Sequence, residues 1–189
     1  GLAVAIERYV YLSKTAVSNQ ALWKKITPFI QAGKFAEAAS VTSKSNAAIG
    51  SILTYGLDRS RTSTRRDDIE KAMEESLMEV MPRLESRTHY LATFANIATL
   101  LGLLGTIIGL IQAFTAVAEA NPAEKADLLS ASISVAMNTT AFGLIVAIPL
   151  LLVHTVLQSK TTRIIDSLEM VSVKFLNAVD ERRRQQSAA

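Results

Sequence analysis

The side chains best placed to do chemistry in this chain are hydroxyls, and they lie where almost nothing else is polar. Residues 91–118 read LATFANIATLLGLLGTIIGLIQAFTAVA, with no Asp, Glu, Lys, Arg or His. Residues 128–159 hold a single ionisable side chain, His154. The first stretch carries Asn96, Thr99, Thr106, Gln112 and Thr115, and the second Ser130, Ser132, Ser134, Asn138, Thr139 and Thr140. A hydroxyl in apolar surroundings can orient water or an ion along a path. It can equally bond the carbonyl four residues back, or hold two helices together. It does not ionise at neutral pH. If these stretches serve ion translocation, the titrating group must come from a partner, because neither stretch has a carboxylate.

The elements that must position these hydroxyls follow from length. At 1.5 Å per residue, the 28 residues of the first stretch exceed a hydrocarbon core of ~30 Å. Both stretches are expected to cross a bilayer as an antiparallel helical hairpin, joined by residues 119–127 with Asn121-Pro122. Thr106 lies 12 residues before Ala118, and Thr140 lies 12 residues after Leu128. In such a hairpin both sit at one depth, ~18 Å from the outer ends. Helical phase puts Ser132, Ala136, Thr139, Thr140 and Gly143 on one side of the second helix, and Ser130, Ser134, Asn138 and Ala141 roughly opposite. Gly102, Gly105 and Gly109 include a G-x-x-x-G pair that permits close helix approach. Pro149 frees a carbonyl near Ile145 and can bend the second helix.

The remaining segments are charged and helix-prone, so the expected fold is an all-α polytopic membrane protein with long helices extending beyond the membrane. The opening GLAVAI before Glu7-Arg8 reads as the inner end (residues 1–12) of an apolar helix begun earlier. Residues 13–63 read as short helices: one through Trp23, Ile26 and Phe29 with Gly33 as its stop, a second from Phe35, and a third from Ala47. A basic linker, DRSRTSTRR, precedes an expected cap at Thr64. One unbroken helix is then expected over 64–118, with Ile69, Met73, Leu77, Val80 and Leu84 as its apolar stripe and a mild kink at Pro82. Asn121 is expected to cap a last helix starting at Pro122. That helix, carrying the span from 128, runs on to 185 with the stripe Ile164, Leu168, Val171, Phe175 and Val179, and ends on a solvated run, Arg182-Arg183-Arg184. Residues 186–189 are expected to be disordered. Two such stripes need partners, either each other or further copies in an oligomer.

Charge sets the expected orientation. Residues 7–89 hold 13 Lys+Arg against 10 acids, and residues 160–189 hold six against four, whereas the turn at 119–127 holds one Lys and three acids. Positive charge collects on the cytoplasmic side, so the turn is expected outside and the bulk of the soluble part in the cytoplasm. The net charge of +3 and the lack of aromatic-plus-basic patterning argue against nucleic acid. Cysteine is absent, and no metal-ligand cluster, nucleophile–base pair or phosphate loop occurs, so no cofactor and no enzyme is expected.

LLGLLGTIIG at 100–109 and TTAFGLIVAIP at 139–149 resemble the MotA/TolQ/ExbB proton-channel family, and within it the ExbB/TolQ branch. The similarity extends over nearly the whole chain. It implies three spans, a homopentamer whose second and third spans line a pore, and two copies of a single-span ExbD/TolR-like partner whose membrane Asp takes up and releases the proton. The family's pore threonines fall on Thr106 and Thr140. With them, Thr139, Ser132 and Gly143 are expected along the ion pathway, and Gly102, Gly105, Gly109 and Pro149 in helix packing. The family pattern often has a Glu where this chain has Val135, and a Pro where it has Thr99. The implied role is a pore-forming subunit of an inner-membrane motor driven by the proton motive force. The alternative is a non-conducting oligomeric scaffold that anchors a partner.

Overall fold

The computed structural model describes residues 1–187, and all regular structure in them is helical. The elements are α1 (Leu2–Gln31), α2 (Phe35–Thr42), α3 (Ala48–Thr62), α4 (Arg66–Glu85), α5 (His89–Glu119) and α6 (Lys125–Ser187). They form two compact units. One contains Gly1–Glu7 and Arg87–Val156; the other contains Arg8–Ser86 and the remainder of α6 from Leu157.

The first unit holds α5 and the first half of α6. Each carries an 18-residue window apolar enough to cross a bilayer, of which only 11% and 17% is buried inside the chain. A core helix of a soluble protein would bury most of such a window, so these faces require lipid or another chain. The turn between the helices, residues 120–124, is longer than a helix starting at Pro122 would leave. α6 starts at Lys125 rather than Pro122, and residues 121–124 form a turn in which the Glu124 N–H donates to Asn121 O at 3.0 Å. The start of α1 lies beside α6, where a Cβ on Gly1 would meet the Leu150 side chain at 2.8 Å.

The second unit is a helical bundle built on the two apolar stripes. All five stripe residues of α6, Ile164 to Val179, are buried. On α4 the buried set is Ile69, Met73, Ser76, Val80 and Leu84, so four of the five expected stripe residues are buried, and Ser76 replaces Leu77, which is half-buried. The stripes meet across α3. A Cβ on Gly56 would touch Met73 of α4 at 2.7 Å and Phe175 of α6 at 3.0 Å, so glycine is what lets both reach the centre. Phe35 packs edge-on to Phe175, with ring centroids 6.5 Å apart. Within one chain, therefore, both stripes are buried, with α3 between them at Gly56.

Helix ends in this unit are satisfied over long sequence distances. α1 stops in a Schellman motif: Gly33 has φ 71°, its N–H donates to Ile30 O at 3.0 Å, and the Lys34 N–H donates to Phe29 O at 2.8 Å. Asn19 of α1 accepts the Ile49 N–H at 3.2 Å and so caps α3 from 30 residues away. Buried Arg8 donates to the carbonyls of Arg83 and Leu84 at the end of α4, and lies 4.8 Å over the Tyr11 ring. Arg183 donates to the carbonyls of Ser60, Ser63 and Thr64 at 3.2, 2.9 and 2.6 Å. These orphan carbonyls would otherwise need water.

Several expected boundaries move. α1 passes residue 12 without interruption. The expected unbroken helix over 64–118 is divided at residues 86–88, where Arg87 takes φ 63°, a left-handed conformation that cannot continue a right-handed helix. Within the first unit Arg87 pairs with Glu7 at 3.0 Å. Thr64 is not the cap of α4. Ser63 instead donates to Asp68 at 2.6 Å, which holds that carboxyl below its ordinary range. The arginine run is not a wholly solvated end, since Arg183 grips the α3–α4 connection. Of the end expected to be disordered, residues 186–187 belong to α6, and residues 188–189 lie outside the described residues.

The convergence on Phe175 can be tested through Trp23, the single tryptophan, in the same unit. Replacing fully buried Phe175 with Ala is expected to lower the denaturant midpoint of the Trp23 fluorescence transition by an amount equivalent to about 3–5 kcal/mol. Met170→Ala, at a position 55% exposed on the same helix, is expected to change it by less than about 0.5 kcal/mol.

Candidate functional site: the α5–α6 hairpin

α5 and α6 touch backbone to backbone. A Cβ built on Gly102 would stand 3.2 Å from Gly143 Cα and 3.3 Å from Thr139 O. A Cβ on Gly143 would stand 2.7 Å from Ala98 O and 2.9 Å from Gly102 Cα. Further along, Gly105 faces the Thr139 Cβ at 3.0 Å, and Gly109 faces the Ala136 Cβ at 2.7 Å. The three glycines of α5 thus form one stripe against Ala136, Thr139, Thr140 and Gly143 of α6. Close approach of this kind replaces the hydrophobic driving force that helices lack in lipid.

That contact sets the position of the two threonines. Thr106 and Thr140 are half-buried between the helices, and their hydroxyls are in direct contact. The equal depth counted from the turn is what brings them together. Thr140 Oγ1 also lies 3.1 Å from Gly102 O, on the other helix. Thr106 Oγ1 lies 3.2 Å from Ala136 O, likewise across the interface, and 3.3 Å from Gly102 O within its own helix. Two hydroxyl hydrogens serve all of these contacts. When Thr140 donates to Gly102 O, the Thr106 hydrogen can point to Ala136 O or to the Thr140 oxygen. When Thr140 donates to Thr106, Gly102 O is left to the Thr106 hydrogen. The pair therefore has alternative hydrogen-bond arrangements at almost fixed heavy-atom positions.

The other expected pathway residues divide. Thr139 is exposed; its Cβ lies against Gly105, and its hydroxyl donates to Ala136 O at 2.7 Å. Ser132 is half-buried toward the turn. Gly143 is buried in the helix contact itself. Ser130, Ser134, Asn138 and Ala141 are all exposed, so α6 has a second polar face that α5 does not cover. Val135, where the family often has Glu, is 67% exposed. Pro149 is exposed within an uninterrupted α6. Among the described residues no group of His, Cys, Asp and Glu could hold a metal ion. Sequence reasoning missed the backbone carbonyls of Gly102 and Ala136 as members of the site, because no residue type announces a carbonyl.

Two apolar helical stretches without a carboxylate (91–118 and 128–159), packed through glycines around a hydroxyl pair, define a membrane protein with a polar point inside an apolar hairpin. The chain belongs to the MotA/TolQ/ExbB proton channel family, whose pattern matches residues 44–170. It is 28% identical over 173 residues to the putative biopolymer transport protein ExbB homolog of Methanothermobacter thermautotrophicus, which covers 90% of this chain and 60% of that protein. It is 40% identical over 73 residues to biopolymer transport protein exbB1 of Vibrio cholerae, covering 39% of this chain and 32% of that protein. It is 32% identical over 94 residues to the Tol-Pal system protein TolQ of Haemophilus influenzae, covering 50% of this chain and 41% of that protein. The chain thus spans 60%, 32% and 41% of these relatives' lengths.

The glycine contact generates a graded expectation. Gly143→Ala sets its new methyl against a carbonyl and a Cα, neither of which can rotate away, and is expected to cost about 1–3 kcal/mol of overpacking. Gly33→Ala meets only the flexible end of Arg182, so any cost there comes from its positive φ. Disulfide trapping between cysteines placed at Thr106 and Thr140, whose hydroxyls touch across the hairpin, reports its closure. Gly143→Ala is expected to slow it, and Gly33→Ala to leave it unchanged.

Proposed function

We propose that this chain is the pore-forming subunit of an ion-driven motor in the bacterial inner (cytoplasmic) membrane, powered by the proton motive force. Five copies surround two copies of a single-span ExbD/TolR-like protein. An Asp on that partner takes up and releases the ion, and the resulting movement energises transport or envelope processes across the periplasm. Residues 119–127 lie outside, and the α1–α4 bundle with the end of α6 lies in the cytoplasm. Family membership supports this reading, as does the charge imbalance between the turn and the remaining segments.

The observation that carries it is the Thr106–Thr140 hydroxyl pair, set in apolar stretches without a carboxylate. Its alternative hydrogen-bond arrangements let it orient water or an ion beside a titrating group supplied by the partner. Thr106, Thr140, Thr139 and Ser132 would line that path, with Gly143 giving the close approach that holds it open to hydroxyls. The exposed polar face of Ser130, Ser134 and Asn138 suits contact with a further copy or with the partner.

A second reading has its own support. Each hydroxyl acceptor is a backbone carbonyl or the other threonine, which is all that helix adhesion requires. On that reading the chain is a non-conducting oligomeric scaffold. Interhelical hydrogen bonds in membranes contribute about 0.6–2 kcal/mol each, so losing one does not disperse an assembly held by glycine packing. Thr106→Val and Thr140→Val, which keep the shape and remove the hydroxyl, therefore separate the two readings. The motor reading expects both to abolish energy-dependent function with the oligomer intact, and Thr→Ser to retain it. Full activity in both valine variants would exclude the pore role and leave the scaffold.

A further inference from the structure

A cavity of about 420 Å³ lies between α1, the start of α3 and the end of α4, wholly within the second unit. Lys14 and Arg83 line it, and no Asp or Glu does. Among the described residues neither cation has a carboxylate partner or a side-chain hydrogen bond. The neighbouring groove between α3 and α4 has the opposite character, with Arg59 and Lys71 facing Asp58, Asp68 and Glu75. Charge is compensated there and left over at the Lys14–Arg83 cavity.

The remaining lining mixes apolar Ala47, Val80 and Leu84 with Tyr11, Asn46 and three hydroxyl-bearing residues. Those three are Thr15, Ser18 and Ser51. Ser13, Thr27 and Thr54, on the same helices, turn their hydroxyls back onto their own helix carbonyls at 2.6, 2.7 and 2.8 Å. Thr15, Ser18 and Ser51 have no such bond among the described residues. The start of α3 contributes a backbone donor. Asn19 takes the Ile49 N–H and Ala47 O takes the Gly50 N–H, but no acceptor among the described residues meets the Ala48 N–H, and Ala48 lines the cavity. The end of α4 would repel an anion through its carbonyls, but those of Arg83 and Leu84 are already engaged by Arg8.

We propose that this cavity binds a phosphate-class anion, held between Lys14 and Arg83 with the three hydroxyls and the Ala48 N–H as further donors. Two sources present that chemistry: a soluble phosphate and the headgroup of an anionic phospholipid. The lipid source rests on the membrane orientation proposed above; the binding does not.

The test uses the full chain in nanodiscs. In discs of phosphatidylcholine alone, inorganic phosphate is titrated by calorimetry. Saturable binding is expected, weakened about tenfold or more by Lys14→Ala and by Arg83→Ala, since each removes a charge-assisted hydrogen bond. Lys71→Ala, in the compensated groove, is expected to leave it unchanged. Both cavity cations are exposed, so the variants should fold, and Trp23 fluorescence checks that they do. Replacing part of the phosphatidylcholine with phosphatidylglycerol then separates the sources: competition with phosphate assigns the lipid headgroup, and unchanged phosphate affinity assigns the soluble anion. Absence of saturable binding in both kinds of disc, or binding insensitive to both alanine variants, overturns the proposal. No partner protein or ion gradient is needed, so failure here is distinct from failure of the motor reading.

Discussion

The hairpin depends on the backbone contact between Gly102 and Gly143. Nothing larger fits there: a Cβ on Gly143 would enter the space of Ala98 O and Gly102 Cα. With the axes held that close, Thr106 and Thr140 cannot avoid each other, and their oxygens come within reach of carbonyls on the opposite helix. A larger residue at either glycine would separate the helices and turn two interhelical hydroxyls into two local ones. The chemistry available at mid-hairpin is therefore a consequence of side chains that are missing.

A different constraint shapes the bundle. Its helices are short and numerous, so many backbone groups at helix ends need partners. Some are served by neighbours in sequence, as at Gly33 and Lys34, and others from far along the chain. Asn19 serves α3, Arg8 serves the end of α4, and Arg183 serves the end of α3. Each link joins segments far apart in the chain, so the bundle's polar and apolar contacts tie the same elements together.

Periodicity made part of this legible. The α6 stripe from Ile164 to Val179 is buried as its spacing predicts, because five apolar residues at steps of four, three, four and four leave one possible face. Gly33 was legible as a stop because only glycine adopts φ 71° without strain. The α4 stripe was less so: Met73 is followed by Ser76 and Leu77 at three and four residues, and apolarity favours Leu77 although tertiary packing buries Ser76. The break at Arg87 had no sequence signal, since arginine seldom takes positive φ and Pro82, the visible breaker, lies inside an intact α4. At the hydroxyl pair, counting residues from the turn gave the common depth of Thr106 and Thr140. It could not give their contact, which depends on the distance between the helix axes.

The central claim is that this hairpin is one wall of a shared pore around a small partner. Native mass spectrometry of the complex, extracted from its source membrane, tests that most directly. The account predicts five copies of this chain with two copies of a small single-span protein whose membrane segment carries an Asp. A monomer or dimer of this chain would contradict it.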